Sequence, residues 1–204
     1  NQRRDVLYTT GLPSGYPVLD DAEGWGRLDL FSAANGYGAL SHRVTVTMNA
    51  NQGGFNAQDT WRNNLTGHGQ LVKAGTGALT LAGNNHFTGG VRLKAGTLNL
   101  ASPTAAGKGN VVLNGGTLRV TKNHTQLSGQ FHQTAGRLVV TPDSHLRIKH
   151  AAKLGGTLTL TKGHLKNGTK LMTFQTRTGK FKHITGLPHG WHVHYTKHAV
   201  LLTK

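Results

Sequence analysis

The sequence predicts an all-β protein whose main body is a parallel β-helix, a solenoid of about 20 residues per coil, preceded by a short helical N-terminal segment. Three observations lead to this fold class. A short motif recurs at nearly constant spacing, with its glycine at positions 77, 96, 116, 136 and 156; its residues alternate between apolar and polar; and 29 glycines stand against 5 prolines. A fixed period of this kind is typical of solenoids, and abundant glycine without proline indicates tight turns.

The repeated motif has the pattern of a short, half-buried strand. It consists of glycine, one further residue, leucine, any residue, and then leucine or valine. Period-2 alternation predicts that the two apolar positions point inward and that the residue between them points outward. The first inward column is Leu79, Leu98, Leu118, Leu138 and Leu158, and the second is Leu81, Leu100, Val120, Val140 and Leu160. The glycine before each strand suits a corner with a positive φ.

A second strand in each coil is visible at residues 91–93, 111–113 and 131–133. A leucine-rich repeat is the alternative at this period, but it needs a regular asparagine ladder that the sequence lacks. We therefore predict three regions: a linker and short helix from the end of an upstream domain at 1–40, β-helix repeats at 41–164, and a C-terminal closing coil at 165–204. The closing coil ends on a strand at residues 200–202, which predicts an open sheet edge there.

The first region contains a candidate amphipathic helix. Residues 24–36 predict a turn and a short helix, in which Leu28, Phe31 and Ala34 would share one face, with Gly36 as the C-cap. Such a helix needs an apolar surface to pack against, which we expect from an upstream domain or from the first coil. The chain starts without an initiator Met or a signal peptide, so we interpret it as a processed piece of a longer chain.

The composition is strongly basic and lacks cysteine. No cysteine is present, which excludes disulfides and thiolate metal sites, and no run of about 18 apolar residues predicts a membrane-spanning helix. Residues 30–204 hold 20 of the 23 Lys and Arg but only Asp59 and Asp143 as acids, a net charge of +18 before histidine. Such a surface attracts polyanions, and the alternative is solubility through self-repulsion. Candidate polyanion contacts are Lys73, Lys94, Arg119, Arg137 and Lys162.

The sequence contains no recognisable set of catalytic residues. Asp59 and Asp143 are separated by several coils of sequence, so they do not form the carboxylate pair of a glycosidase. His192 and His194 alternate on a predicted strand and could bind zinc or copper, but no nearby carboxylate would complete or orient the site. We predict solvated histidines instead, no metal, no cofactor and no enzymatic activity for these residues.

Residues 73–100, KAGTGALTLAGNNHFTGGVRLKAGTLNL, resemble the autotransporter-associated β-strand repeat. The resemblance extends over this whole segment and implies a bacterial passenger β-helix, secreted or held at the outer cell surface. Residues 167–204 resemble the end of such a passenger.

Residues 9–38 resemble the linker that follows the catalytic domain of autotransporter-type bacterial acid phosphatases of the PAP2 class. Subtilisin-like autotransporter proteases, which carry a similar G-W-G turn, are the alternative. The phosphatase resemblance implies a catalytic histidine in a P-S-G-H turn, but Pro13-Ser14-Gly15 is followed here by Tyr16. The chain itself is thus expected to be non-catalytic.

Together these interpretations predict a β-helical tail of a secreted phosphatase-like protein, serving display, spacing or self-assembly. The alternatives are an adhesin-type module that binds anionic polysaccharide, extracellular DNA or lipopolysaccharide, and the C-terminal part of an acid phosphatase. The open strand edges and the acidic head at Asp20, Asp21, Glu23 and Asp29 predict head-to-tail association with other copies.

Overall fold

The computed structural model describes residues 2–10 and 29–204. The described residues contain three short helices, α1 (Gln2–Thr10), α2 (Leu30–Ala34) and α3 (Gly54–Ala57), and two 3₁₀ helices, at Ala50–Gln52 and Pro142–Ser144. The rest of the described ranges consists of strands, turns and loops. Trp25, Leu28 and the acidic residues 20, 21 and 23 lie outside the described residues, as does the turn at 13–16.

The described strands form three sheets that wind around one apolar core, which confirms the predicted parallel β-helix. Sheet A, in spatial order, is β1 (Val44–Met48), β3 (Leu71–Gly75), β5 (Val91–Leu93), β7 (Val111–Leu113), β10 (Phe131–Gln133), β13 (Ala151–Leu154) and β16 (Thr176–Gly179). Sheet B is β2 (Gln58–Trp61), β4 (Ala78–Leu81), β6 (Thr97–Leu100), β8 (Thr117–Val120), β11 (Arg137–Val140), β14 (Thr157–Leu160) and β17 (His183–Thr185). Sheet C is β9 (Gln126–Leu127), β12 (Leu146–Ile148), β15 (Lys170–Thr173), β19 (Ala199–Thr203) and β18 (His192–Tyr195).

Sheet B carries the repeated motif. Its strands pair in parallel, and each leucine of the first predicted column stands opposite the next, as in Leu98 beside Leu118 and Leu138 beside Leu158. All ten residues of the two predicted columns are buried. Because every coil places the same residue type at the same point, the side chains stack into continuous apolar rows, and no coil can bury its own row alone.

Glycine turns the chain at the corner before most of the sheet B strands. Gly96, Gly116, Gly136 and Gly156 have φ between 56° and 74°, a region that other residues rarely adopt. A Cβ on Gly116 would lie 2.5 Å from the carbonyl oxygen of Gly96 in the preceding coil. Close coil-to-coil contact at this corner therefore requires glycine for two reasons, backbone conformation and space.

Buried polar residues complete the corners inside the repeat. Asn85 is 2% exposed, and its Oδ1 accepts a hydrogen bond from the Leu65 N–H at 2.8 Å while its Nδ2 donates to the Ala105 carbonyl at 2.7 Å. One side chain thus joins three successive coils. Because both bonds satisfy buried backbone groups, Asn85 avoids the cost of an unpaired polar group in the core.

The C-terminal end differs from the prediction. Parallel pairing continues past residue 165, since β16 pairs with β13 and β17 pairs with β14. The chain then forms an antiparallel hairpin in which β19 lies between β15 and β18. The expected open edge at residues 200–202 is therefore wrong, because both sides of β19 are paired. The edge strand of sheet C at this end is β18.

The N-terminal end is covered in part by the helices. Asp29 caps α2, with its Oδ1 accepting from the Ser32 N–H at 2.9 Å, and its hydrogen bonds with Ser32 lower the pKa of Asp29. Asn35 ends this helix, and Gly36 follows with φ 96°. A short helix is present in the predicted range, but Phe31, which was expected on its buried face, is 81% exposed. The helix α1 was not predicted.

Candidate binding surface

Lys73 is the one candidate polyanion contact that the structure removes from the surface. Its side chain is completely buried, and Nζ donates to the Ala74 carbonyl at 2.7 Å and to the Gly75 carbonyl at 3.4 Å. Burial lowers the pKa of Lys73 to about 8. The prediction of a polyanion contact was wrong for Lys73. This residue lies two positions after buried Leu71 on β3 and so points to the same inward face, a spacing that is visible in the sequence.

The other four candidates, Lys94, Arg119, Arg137 and Lys162, are exposed but are not gathered in one place. Arg119 lies in the outward row of sheet B between Asn99 and Val139, so its neighbours along the row carry no charge. Of these four, Lys94 is the one that shares a groove with other cationic side chains.

That groove, named here the basic groove, follows the first coils of sheet A. It has a volume of about 340 Å³ and is lined by Arg43, Thr45, Gln70, Val72, Arg92 and Lys94. Cationic side chains from different coils therefore border one concavity, and Arg92 also donates to Asn114 at 3.0 Å. Sequence analysis missed Arg43 and Arg92, because their proximity depends on the stacking of coils.

The cationic side chains of the described residues have few acidic neighbours. The two carboxylate ion pairs found there join Asp5 to His42 at 3.9 Å and Asp143 to His164 at 3.5 Å. Within the described part of the chain, then, no Lys or Arg is neutralised by a carboxylate. A surface of this kind presents its positive charge to solvent and to anions.

Asp59 and Asp143 each have a structural role. Asp59 Oδ2 accepts from the Trp61 indole N–H at 2.9 Å, and its Oδ1 accepts from the Thr60 N–H. Asp143 Oδ2 accepts from the His164 backbone N–H at 3.2 Å. They lie on β2 and on the 3₁₀ helix before β12, at separate coils, so they do not form a carboxylate pair.

The histidines on β18 do not form a metal site in the described residues. His192 and His194 are exposed on the same face of the strand, with Val193 between them. Among the residues whose side chains are described, no three His, Asp or Glu are close enough together to hold a metal ion.

An apolar cavity of about 480 Å³ lies at the N-terminal end of the solenoid, between the helices and the first strands. Tyr37, Met48 and Trp61 line it together with Val6 and Phe55. The Tyr37 hydroxyl is buried without a hydrogen-bond partner among the described residues, and burial, aided by the charge of Asp5, raises the pKa of Tyr37 to about 12. No helix within the described ranges has the length and apolar character needed to cross a membrane.

Comparison with known proteins agrees with the fold. Residues 71–100 match the passenger-associated-transport-repeat family. The adhesin BmaC autotransporter of Brucella suis is 34% identical over 127 residues, which cover 48% of this chain and 4% of BmaC. An extracellular serine protease of Serratia marcescens is 30% identical over 145 residues, covering 55% of this chain and 14% of the protease. The Neisserial autotransporter lipoprotein NalP of Neisseria meningitidis serogroup B is 31% identical over 117 residues, covering 55% of this chain and 11% of NalP.

The chain thus spans between 4% and 14% of the length of these relatives. The family match and the relatives support an autotransporter passenger-type repeat module, and they imply a secreted or outer-surface location. The repeat family also points to a non-catalytic module, although proteases occur among the relatives.

Proposed function

We propose that this chain is the non-catalytic scaffold of a secreted autotransporter protein, which spaces and displays an upstream domain. The observation that supports the proposal most is how the polar residues of the matched repeat are used. Lys73 and Asn85 both turn inward and hydrogen-bond to backbone carbonyls of the coils, which leaves neither of them for chemistry at the surface. Asn85 joins neighbouring coils and Lys73 bonds the corner carbonyls of its own coil, so both side chains serve the structure of the solenoid.

Length is the property that such a scaffold supplies. Seven strands in each of sheets A and B, at about 4.8 Å per strand, stack to a height of about 29 Å. Relatives named as an adhesin and as a serine protease share similarity with this chain, so modules of this type accompany different activities. A spacer is the role that these different proteins can have in common.

Changing the number of coils tests the spacer role. Deleting residues 97–116 removes β6 from sheet B and β7 from sheet A, and joins Gly96 to Thr117 so that the motif is preserved. Duplicating the same residues adds one coil. We expect both variants to unfold cooperatively and to change in length by about 4.8 Å in X-ray scattering. Failure of both variants to fold would contradict a modular scaffold.

The absence of catalysis is tested directly. We expect no hydrolysis of p-nitrophenyl phosphate by this chain at neutral or acid pH. Turnover that survives repurification and follows the protein peak would contradict the proposal. The resemblance of residues 9–38 to the linker of PAP2-class phosphatases further leads us to propose an acid phosphatase domain upstream in the parent protein, which the same assay on the full-length secreted protein would reveal.

Polyanion binding at the basic groove is the second candidate function. It is favoured by Arg43, Arg92 and Lys94 around one concavity and by the scarcity of carboxylates beside them. We expect Arg92→Gln with Lys94→Gln to elute from heparin at lower salt than the wild type, and to show a smaller slope of affinity against salt. The matched control is Arg119→Gln with Arg137→Gln, which removes the same charge from sheet B. Equal shifts in both pairs would contradict a localised site.

Head-to-tail association is the remaining proposal. The edge strands of sheets A and B are β1 and β2 at the N-terminal end and β16 and β17 at the C-terminal end, so the parallel sheets of one copy could continue into the next. Asp5, Asp29 and Asp59 lie near the first end and Arg177, Lys180 and Lys182 near the other. We expect self-association in light scattering that weakens with salt and is lost when residues 1–40 are deleted. A monomer under all conditions would exclude it.

A further inference from the structure

Two histidines on the third side of the solenoid have an unusual backbone conformation. His124 has φ 58° and His145 has φ 44°, and in the described part of the chain they are the non-glycine residues with positive φ. Histidine tolerates this region better than most residues, but the conformation still stores strain. They occupy equivalent positions in successive coils, just ahead of β9 and β12. The same strained backbone conformation occurs at the same position in two successive coils, which favours a functional role for that position.

The same conformation brings the two imidazole rings together. Their centroids are 5.5 Å apart and the ring planes differ by 21°, so the rings are stacked. His145 Nδ1 lies 3.2 Å from the Lys170 carbonyl oxygen, which can only accept, so Nδ1 carries the proton and Nε2 is left for another partner. The His124 backbone N–H donates to the Ser144 carbonyl at 2.9 Å, which holds the two coils in this register.

The rings border a polar pocket on the outer face of sheet C, named here the histidine pocket. It has a volume of about 330 Å³, and its lining is His124, Gln126, His145, Arg147 and Thr173. Arg147 pairs in register with Gln126 on one side and Thr173 on the other, so a guanidinium stands between an amide and a hydroxyl. Each lining side chain can donate a hydrogen bond.

The charges around the pocket are mainly positive. Lys122 precedes His124 in the same loop, Lys149 follows Arg147, and Lys170 begins β15. The nearby carboxylate is Asp143 on the 3₁₀ helix ahead of His145, and its Oδ2 is paired with His164. No lining residue is acidic. Protonating two stacked histidines beside an arginine is unfavourable in isolation, and a bound anion would offset that repulsion.

We propose that the histidine pocket binds a tetrahedral oxyanion, a sulfate or phosphate group, and that it fills when both histidines become protonated. The ligand would accept hydrogen bonds from the Nε2 of His145, the ring of His124 and the guanidinium of Arg147. A protonated imidazole donates from both ring nitrogens and carries a positive charge, so we expect occupancy to be higher in acid than at neutral pH. The anion can be a free ion or an ester group on a polysaccharide. The inference does not depend on the scaffold role or on the basic groove.

Titration with inorganic sulfate at constant ionic strength, at pH 5.5 and at pH 7.5, tests the proposal by calorimetry and by the NMR signals of the histidine rings. We expect the wild type to bind sulfate at least about tenfold more tightly at pH 5.5. His145→Asn and His124→Asn should each reduce this ratio, and together they should bring it close to one. Asparagine also adopts the left-handed conformation, so these variants keep the backbone of the loop.

Three controls separate the pocket from general charge effects. His194→Asn removes an exposed histidine elsewhere and should leave the ratio unchanged. Arg92→Gln with Lys94→Gln alters the basic groove and should also leave it unchanged. Arg147→Gln should weaken binding at pH 7.5 as well as at pH 5.5, because the guanidinium carries its charge at both pH values. Sulfated oligosaccharide in place of sulfate then shows whether an ester group binds as well as the free ion.

Two results would overturn the proposal. One is a wild type that binds no sulfate at pH 5.5. The other is a double histidine variant that folds, by its melting temperature, and retains the pH ratio of the wild type.

Discussion

Sheet B and sheet C surround the same core but differ in regularity. Sheet B consists of seven parallel strands, most of which begin directly after a corner glycine, and its columns run in register through successive coils. Sheet C begins only at Gln126, contains five strands, and changes to antiparallel pairing at β19. One face of the molecule thus follows the repeat and the other departs from it.

The difference shows which parts of each coil the repeated motif does not determine. From β4 to β14 in sheet B the paired residues are 19 or 20 positions apart, and the inward positions of the motif are leucine or valine. In sheet C, Leu127 pairs with Ile148 but Leu146 pairs with Met172, so the coil after β12 is longer than the coil before it. The extra residues lie mainly between β14 and β15, at the corner that leads into sheet C, and the strained histidines lie at the same corner of the two preceding coils. The regular face builds the solenoid, and the irregular face is available for a specific site.

The largest effect that we expect comes from a charge placed in a sheet B column. Leu118 is 1% exposed and stacks between Leu98 and Leu138. Leu118→Asp buries a carboxylate without a partner and should cost more than about 4 kcal/mol, enough to unfold a marginal domain. Arg119→Asp, one residue further along and exposed, should change stability by less than about 1 kcal/mol. Chemical denaturation of both variants measures the contrast, and equal losses would contradict the inward columns.

A smaller effect is expected at the corner glycines. Gly116→Ala places a Cβ 2.5 Å from the Gly96 carbonyl oxygen at a φ of 68°, so it should cost about 2–4 kcal/mol. Gly168 is the matched control: its φ is 82°, but no atom lies within 4 Å of the position of a Cβ. Gly168→Ala should therefore show only the backbone term, about 1 kcal/mol. Equal melting temperatures for the two variants would mean that contact between coils does not limit the corner.

What could be predicted from the sequence divides in the same way, between the regular sheet B and the irregular sheet C. The solenoid and the columns of sheet B were within reach because one short motif, repeated at nearly constant spacing, encodes both the strand and its inward face. The strand at Leu146–Ile148 belongs to sheet C, a third side of the solenoid that the sheet B motif does not encode. The order β15-β19-β18 joins strands that no period connects, so it could not be predicted.

The candidate sites were harder to predict than the fold. Lys73 was assigned to the surface because of its charge. It lies two residues after inward-facing Leu71, however, so strand alternation places it inside, and its long side chain reaches the corner carbonyls from there. Arg43, Arg92 and Lys94 are far apart along the chain, so their groove depends on stacking. The conformation of His124 and His145 is a property of the backbone that residue type indicates only weakly.

Lys73 also predicts a dependence of stability on pH. Burial lowers the pKa of Lys73 from 10.5 to about 8 in the folded chain, so the unfolded chain binds this proton more tightly. Stability should therefore rise between about pH 8 and pH 10.5, by about 2–3 kcal/mol, as the folded and then the unfolded lysine lose the proton. Denaturation across this window should show the rise in the wild type and its absence in Lys73→Met. The exposed Lys94→Met is the control and should keep the rise. The quantity to compare is the slope of the free energy of unfolding against pH. Its absolute value is not comparable, because Lys73→Met also leaves the Ala74 carbonyl without its donor.

The smallest effect is expected at the surface, where the exposed ion pair between Asp143 and His164 lies beside the histidine pocket. The two side chains are 42% and 98% exposed, and the joining atoms are 3.5 Å apart. Water and salt screen such a pair, and holding a fully exposed side chain in place offsets what attraction remains. Asp143→Asn keeps an oxygen that can accept from the His164 N–H, so the free energy of unfolding should change by less than about 0.5 kcal/mol. Its effect should instead appear in the sulfate titration at pH 5.5: removing the carboxylate nearest the pocket should strengthen binding slightly. A loss of stability above about 1 kcal/mol would show that the corner ahead of β12 depends on this carboxylate, and that the irregular face is as tightly constrained as the regular one.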